Sequence, residues 1–177
     1  DDELGVAGSA GGRTTYRNVG STRRQGWELE ARWALADHLQ LDAGWTRLDA
    51  RVRRCVAQGC GPLVPGNRLP GTARDAARVQ LSGQHARWSW QLAATGLSAM
   101  VADDANRARA PGHVLLDAGV TRQWPLSAGG LQLSLSLDNL TDRRHVASVV
   151  VNDANARFYE PGAGRTVRVG LRWMLQP

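Results

Sequence analysis

Two stretches of the chain gather side chains able to recognise a polar ligand. Arg107 and Arg109 follow Asp103, Asp104 and Asn106, and Asn152, Asp153 and Asn155 precede Arg157 and Tyr159. Guanidinium groups bind anions through charge-assisted hydrogen bonds, and a tyrosine ring offers a face for stacking. Arg107, Arg109, Asn152, Asp153 and Tyr159 are therefore the candidate ligand-binding residues, although a hydrated polar loop has the same composition. Reaction chemistry is harder to find. His38, His85, His113 and His145 lie far apart in sequence, and neither an H-E-x-x-H nor a Gly-rich phosphate loop occurs. No nucleophile elbow is visible. The chain reads as a non-enzyme without a cofactor.

Cys55 and Cys60 are the two cysteines. A bare C-x4-C without partner histidines is a poor zinc pattern, so no metal site is assigned. In an exported protein it fits a small loop-closing disulfide, and in a cytosolic one two free thiols. The formal charge is +6, carried by arginine in a sequence without lysine. Those arginines are spread along the chain rather than clustered, which argues against a nucleic-acid partner. No segment approaches the roughly 20 apolar residues of a spanning helix.

The elements that must position these residues alternate with a period of two. Trp27, Leu29, Ala31, Trp33 and Leu35 oppose Glu28, Glu30, Arg32 and Ala34. The same pattern recurs from Leu39 to Thr46, Ala77 to Gln84, Trp88 to Thr95, Val114 to Thr121, Leu131 to Asp138 and Thr166 to Trp173. Such alternation gives strands with one apolar and one polar face. Glu3 to Ala7 adds a partial strand, with Gly8 to Tyr16 as a long loop.

The connections are short at Ala36 to His38, Gln84 to Arg87 and Pro125 to Gly130. They are long from Arg53 to Thr72, Ala102 to Gly112 and Thr141 to Gly164. Short turns at one end and long loops at the other characterise outer-membrane barrels. Trp27, Trp45, Trp88, Trp124 and Trp173 are expected near strand ends, as an interfacial aromatic girdle. The fold class is thus all-β, an antiparallel transmembrane barrel. A soluble β-sandwich binding module and a complete eight-stranded barrel with a structural or adhesive role remain alternatives.

The closing stretch reads Asp138-Asn139-Leu140-Thr141-Asp142, then a polar loop, then Glu160-Pro161-Gly162-Ala163-Gly164-Arg165 and a last alternating strand. It resembles the closing hairpin of TonB-dependent outer-membrane receptors. Asn18-Val19-Gly20 followed by Gly26-Trp27-Glu28 resembles their Asn-x-Gly and Gly-x-Glu strand, and Pro65-Gly66-Asn67-Arg68-Leu69-Pro70 their Pro-x-Asn-x-x-Pro segment. The resemblance implies import of a siderophore, metal chelate or similar scarce ligand. It also implies outer-membrane lipid around the barrel of a Gram-negative cell, and coupling to the TonB complex through a plug. No plug or energy-coupling box is found. Residues 1–177 are therefore read as the C-terminal portion of a barrel of about 22 strands. One departure is Leu175-Gln176-Pro177, where the family usually closes on an aromatic residue.

Overall fold

The computed structural model describes residues 2–10, 13–55, 63–127 and 129–175, with backbone alone through residue 19. Among these the strands are β1 (Asp2–Ala10), β2 (Arg13–Ala36), β3 (Leu39–Cys55), β4 (Asp75–His85), β5 (Trp88–Leu97) and β6 (Met100–Val101). They continue as β7 (Arg109–Ala110), β8 (His113–Leu126), β9 (Gly129–Asp138), β10 (Val146–Val149), β11 (Tyr159–Pro161) and β12 (Thr166–Leu175). Eight form one antiparallel sheet in the order β1-β2-β3-β4-β5-β8-β9-β12. The small hairpins β6–β7 and β10–β11 sit within the long loops. Apart from these hairpins, every strand pairs with its predecessor in the chain, the up-and-down path read from the sequence. The order is linear, with β1 and β12 at its two ends, so the described sheet is not a closed eight-stranded barrel.

Pairing in register keeps the two faces separate. Leu29 lies opposite Trp45, and Trp45 opposite Ala77. Trp27 is 76% exposed and Leu171 71% exposed, and Val79, Leu92, Val169 and Trp173 join them on the open surface. A sandwich would cover this face with a second sheet. Here no described layer lies on it, and the face is too large for a water-exposed surface. The opposite face is polar and concave. Near the short turns it forms a trough of about 630 Å³ lined by Gln40, Ser82, Gln91, Thr121 and Ser136 among others. Arg32 Nε donates to Asp42 Oδ1 at 2.6 Å on this face, and Arg78 bridges Gln80 and Thr95.

Three expectations change. Residues 8–16 are not a long loop: β1 runs through Ala10 and β2 begins at Arg13, with Gly8 opposite Thr15. Thr14, Thr15 and Tyr16 are strong strand formers, so the ladder continues past Ala7; Gly11 and Gly12 lie outside the described residues. Trp27 and Trp45 are not at strand ends, because β2 and β3 remain paired upward to Gly20 and Cys55. The connection after β8 is tighter than Pro125 to Gly130, since Pro125 lies in the strand opposite Gly130.

The long upper ribbon explains its own glycines. A Cβ on Gly20, where φ is +144°, would lie 2.0 Å from the Arg54 carbonyl oxygen. A Cβ on Gly26 would lie 2.1 Å from that of Arg47. Both motif glycines therefore permit close approach of β2 to β3. Above Trp27 and Trp45 the outer face turns polar, with Gln25 opposite Asp49 and Arg23 opposite Arg51. The inner face there stays apolar: Ala50 and Val52 pack with Leu69, Leu48 and Leu63. Residues 66–74 run beside this part of β3, with the Val52 and Leu69 N–H groups donating to Asn67 and Ala50 carbonyls at 2.9 and 3.0 Å.

Candidate ligand-binding loops

Three long loops leave the same end of the sheet, after β3, β5 and β9. Each is shaped by short polar side chains that satisfy its own backbone. In the second loop, Asp103 Oδ1 accepts from the Ala108 N–H at 2.9 Å, and Asn106 turns the chain with φ +58°. In the third, Asp153 Oδ1 accepts from the N–H groups of Asn155 and Arg157, both at 2.9 Å. These are Asx-type turns, in which a side chain takes the place of a backbone partner.

The loops are also tied to one another. Asn106 Nδ2 donates to the Arg68 carbonyl at 2.9 Å, and the Arg68 N–H donates to Asn106 Oδ1 at 2.8 Å. Asn67 Nδ2 reaches the Asp104 carbonyl at 2.8 Å. Asn152 spans to the second loop three times. Its Oδ1 accepts from the Asp104 N–H, its Nδ2 donates to Asp104 Oδ2, and its N–H donates to the Ala102 carbonyl. Ala102 lies fully buried beneath this joint, with Val101 and Ala110 beside it.

At its root the third loop is clasped. Asn139 is 3% exposed, with φ +50°. Its Nδ2 donates to the carbonyls of Arg143 and Ala163, its Oδ1 accepts from the Arg143 N–H, and its N–H donates to Asp117. Asp142 Oδ1 accepts from the Arg165 N–H at 2.9 Å. The Asn-Leu-Thr-Asp and Pro-Gly-Ala-Gly-Arg segments are thus bonded to each other. His113 and His145, distant in sequence, meet with ring centroids 4.6 Å apart and planes tilted by 45°.

The candidate residues separate by what their side chains do. Asn152 and Asp153 are occupied in loop bonding. Arg107, Arg109 and Tyr159 are exposed, and the Tyr159 ring meets Phe158 edge-on at 6.2 Å. Among the described residues no hydrogen bond or ring contact joins Tyr159 to either arginine. Sequence reading missed the bonding roles of Asn67 and Asn106. The signal for Asn106 was an Asn at a tight turn, where this residue tolerates positive φ. Cys55 ends β3, and Cys60 lies outside the described residues.

An open-faced meander with an apolar convex side, a polar concave side and one end of braced loops is the architecture of a wall segment of a membrane β-barrel. Residues 1–140 match the family model described as TonB dependent receptor-like, beta-barrel, and the chain belongs to that family. The Ferrioxamine receptor of Yersinia enterocolitica is 30% identical over 150 residues, covering 81% of this chain and 20% of that receptor. The Ferrioxamine B receptor of Salmonella typhimurium is 27% identical over 164 residues, 89% of this chain and 22% of that receptor. Among solved structures, the siderophore receptor PiuA from Acinetobacter baumannii superposes with a TM-score of 0.72 at 23% identity, over 89% of this chain and 22% of its own. The ferric yersiniabactin uptake receptor FyuA from Yersinia pestis gives 0.72 at 24% identity, over 88% and 24%. These likenesses show the fold. The chain spans about a fifth of the length of the curated relatives it matches.

Proposed function

We propose that this chain forms the C-terminal portion of the barrel domain of a TonB-dependent transporter in the outer membrane of a Gram-negative bacterium. Its cargo is a ferric siderophore or a similar metal chelate. The observation that carries the reading is the split between faces: an apolar surface outside that no described layer covers, a polar trough inside, and braced loops at one end. Lipid would cover the first. A plug domain, not part of these 177 residues, would contact the second and receive the pull of the TonB complex. The names of the relatives support a siderophore as cargo.

Within this reading Arg107, Arg109 and Tyr159 contact the ligand, while Asn152 and Asp153 hold the third loop in place for it. An anionic chelate suits exposed guanidinium groups. Cys55 and Cys60 form a disulfide, as suits a C-x4-C pair in an exported protein. The test is uptake of iron-55 ferrioxamine by cells whose only hydroxamate receptor carries this chain, with and without TonB. TonB-dependent uptake that drops on charge reversal of Arg107 and Arg109 supports the reading. Uptake independent of TonB refutes the transport mechanism, and unchanged ligand affinity in the double variant removes both arginines from the site.

A further inference from the structure

The outer face above the tryptophans carries a concentration of positive charge that ligand import does not use. Arg23 lies directly opposite Arg51 across β2 and β3, and Arg51 is bridged to Arg68 on the neighbouring segment. Three arginines therefore stand side by side on β2, β3 and the segment beside β3, an arrangement that like-charge repulsion disfavours. Four residues below Arg23, Trp27 lies opposite Arg47. Between these rows is a concavity of about 410 Å³, lined by Gln25, Trp27, Arg47, Asp49, Arg51 and Arg74.

The carboxylates among the described residues do not neutralise this group. Asp49 holds Arg51 Nε at 2.9 Å, and Arg51 Nη1 donates to the Gly66 carbonyl, so Arg51 is fixed in place. Asp75 is 3.9 Å from Arg47. Arg23, Arg68 and Arg74 have no ion pair among the described residues. The Arg74 Nε atom is shielded from solvent and has no hydrogen-bond partner. Burial, together with Arg51, Arg74 and Arg109, holds the Arg68 guanidinium below its ordinary pKa, with Asp49 partly offsetting them.

Height decides what such a site meets. The apolar stripe from Trp27 to Leu35 is about nine residues, the length of a tilted strand crossing the hydrocarbon layer. Trp27 then marks the interface on the loop side. Arg23 and Arg51 lie four residues further on, about 13 Å along the strand and roughly 9 Å in height after a tilt of about 45°. Their side chains reach the headgroup layer. On the outside of a barrel this layer is lipid, not transported ligand.

We propose that Arg23, Arg47, Arg68 and Arg74, with Arg51 as a fixed support, form a binding site for a phosphorylated lipid headgroup of the outer leaflet, seated beside Trp27. The site rests on the outer-membrane reading above. The phosphate oxygens would relieve repulsion between neighbouring guanidinium groups.

The test uses the intact receptor extracted from outer membranes and placed in phosphatidylcholine nanodiscs. Retained lipid is counted by native mass spectrometry after addition of phosphorylated lipid A, dephosphorylated lipid A or inorganic phosphate. Phosphorylated lipid A is expected to be retained preferentially, and each Arg→Gln change at positions 23, 68 and 74 to weaken retention about fivefold. The exposed turn variant R87Q is the control and should retain lipid as the parent does. Equal retention of both lipid A forms, or unchanged retention in R23Q, R68Q and R74Q, overturns the site. Displacement by inorganic phosphate at equal concentration overturns the lipid assignment in favour of a free anion. Fractionation separates this failure from that of the underlying reading. A receptor found outside the outer membrane overturns both, whereas an inserted one without lipid preference overturns only the site.

Discussion

Asn106 binds the backbone of Arg68 on both sides of its Cα, accepting from its N–H and donating to its carbonyl. One side chain thereby completes a bridge between two loops that the chain itself separates by 38 residues. Asn106→Ala removes both bonds and places alanine at positive φ. A hydrogen bond left unmade in a half-buried joint costs about 1–3 kcal/mol. Faster amide exchange at Arg68 and earlier proteolysis in residues 98–112 are the expected results. Asn106→Asp keeps the acceptor and loses the donor, so exchange at Arg68 should rise less. Equal exchange in the parent and N106A would show that the bridge does not hold the two loops together.

The glycines of β2 make a sharper steric prediction. Gly26→Ala drives a Cβ into the Arg47 carbonyl, while Gly44→Ala meets nothing within 4 Å. Overpacking of this kind costs about 1–3 kcal/mol. The denaturant midpoint of the inserted protein should fall for G26A and stay close to the parent for G44A. A G26A midpoint equal to that of G44A contradicts the close approach of β2 to β3 at this position.

The faces of the sheet can be told apart by charge. Leu92 is outward and midway between the turn-side Trp88 and the row of Trp45, whereas Ser136 lines the inner trough. An arginine on the lipid side near the midplane costs about 2–4 kcal/mol. Leu92→Arg should therefore lower stability in vesicles far more than Ser136→Arg. The reverse order would mean that the faces have been assigned the wrong way round.

Asn139 combines positive φ with three side-chain hydrogen bonds in a buried position. Asn139→Gly retains the backbone freedom and loses the bonds, and Asn139→Ala loses both. The alanine variant should be the less stable by about 1–2 kcal/mol, the cost of a left-handed conformation for a residue with a Cβ. Thermal unfolding of the two variants in one detergent measures the difference. Coincident midpoints would show that the backbone there relaxes.

How legible the fold was in the sequence depended on range. The period of two located the seven main strands and their faces, because alternation follows directly from pleat geometry. It failed over residues 8–16, where Gly8 suggested a loop and strand pairing with Thr15 prevailed. It also placed Trp27 and Trp45 at strand ends, because the outer face turns polar there. The strands continue, since hydrogen bonding to a neighbour does not require an apolar side chain. For the candidate site, composition marked the loops, and position within them could not show occupation. Asn152 and Asp104 are 48 residues apart, and no local pattern announces such a partner.

The clasp at the root of the third loop has an evolutionary consequence. With Asn139 bonded to Ala163 and Asp142 to Arg165, the entry and exit of residues 143–164 are fixed independently of what lies between. Doubling the length of a flexible loop adds only about 0.6 kcal/mol of closure entropy. Insertions beyond Arg144 and before Glu160 can thus be sampled without shifting the β9–β12 register by a residue. The barrel wall becomes a constant frame, and change in length is confined to the loop it carries.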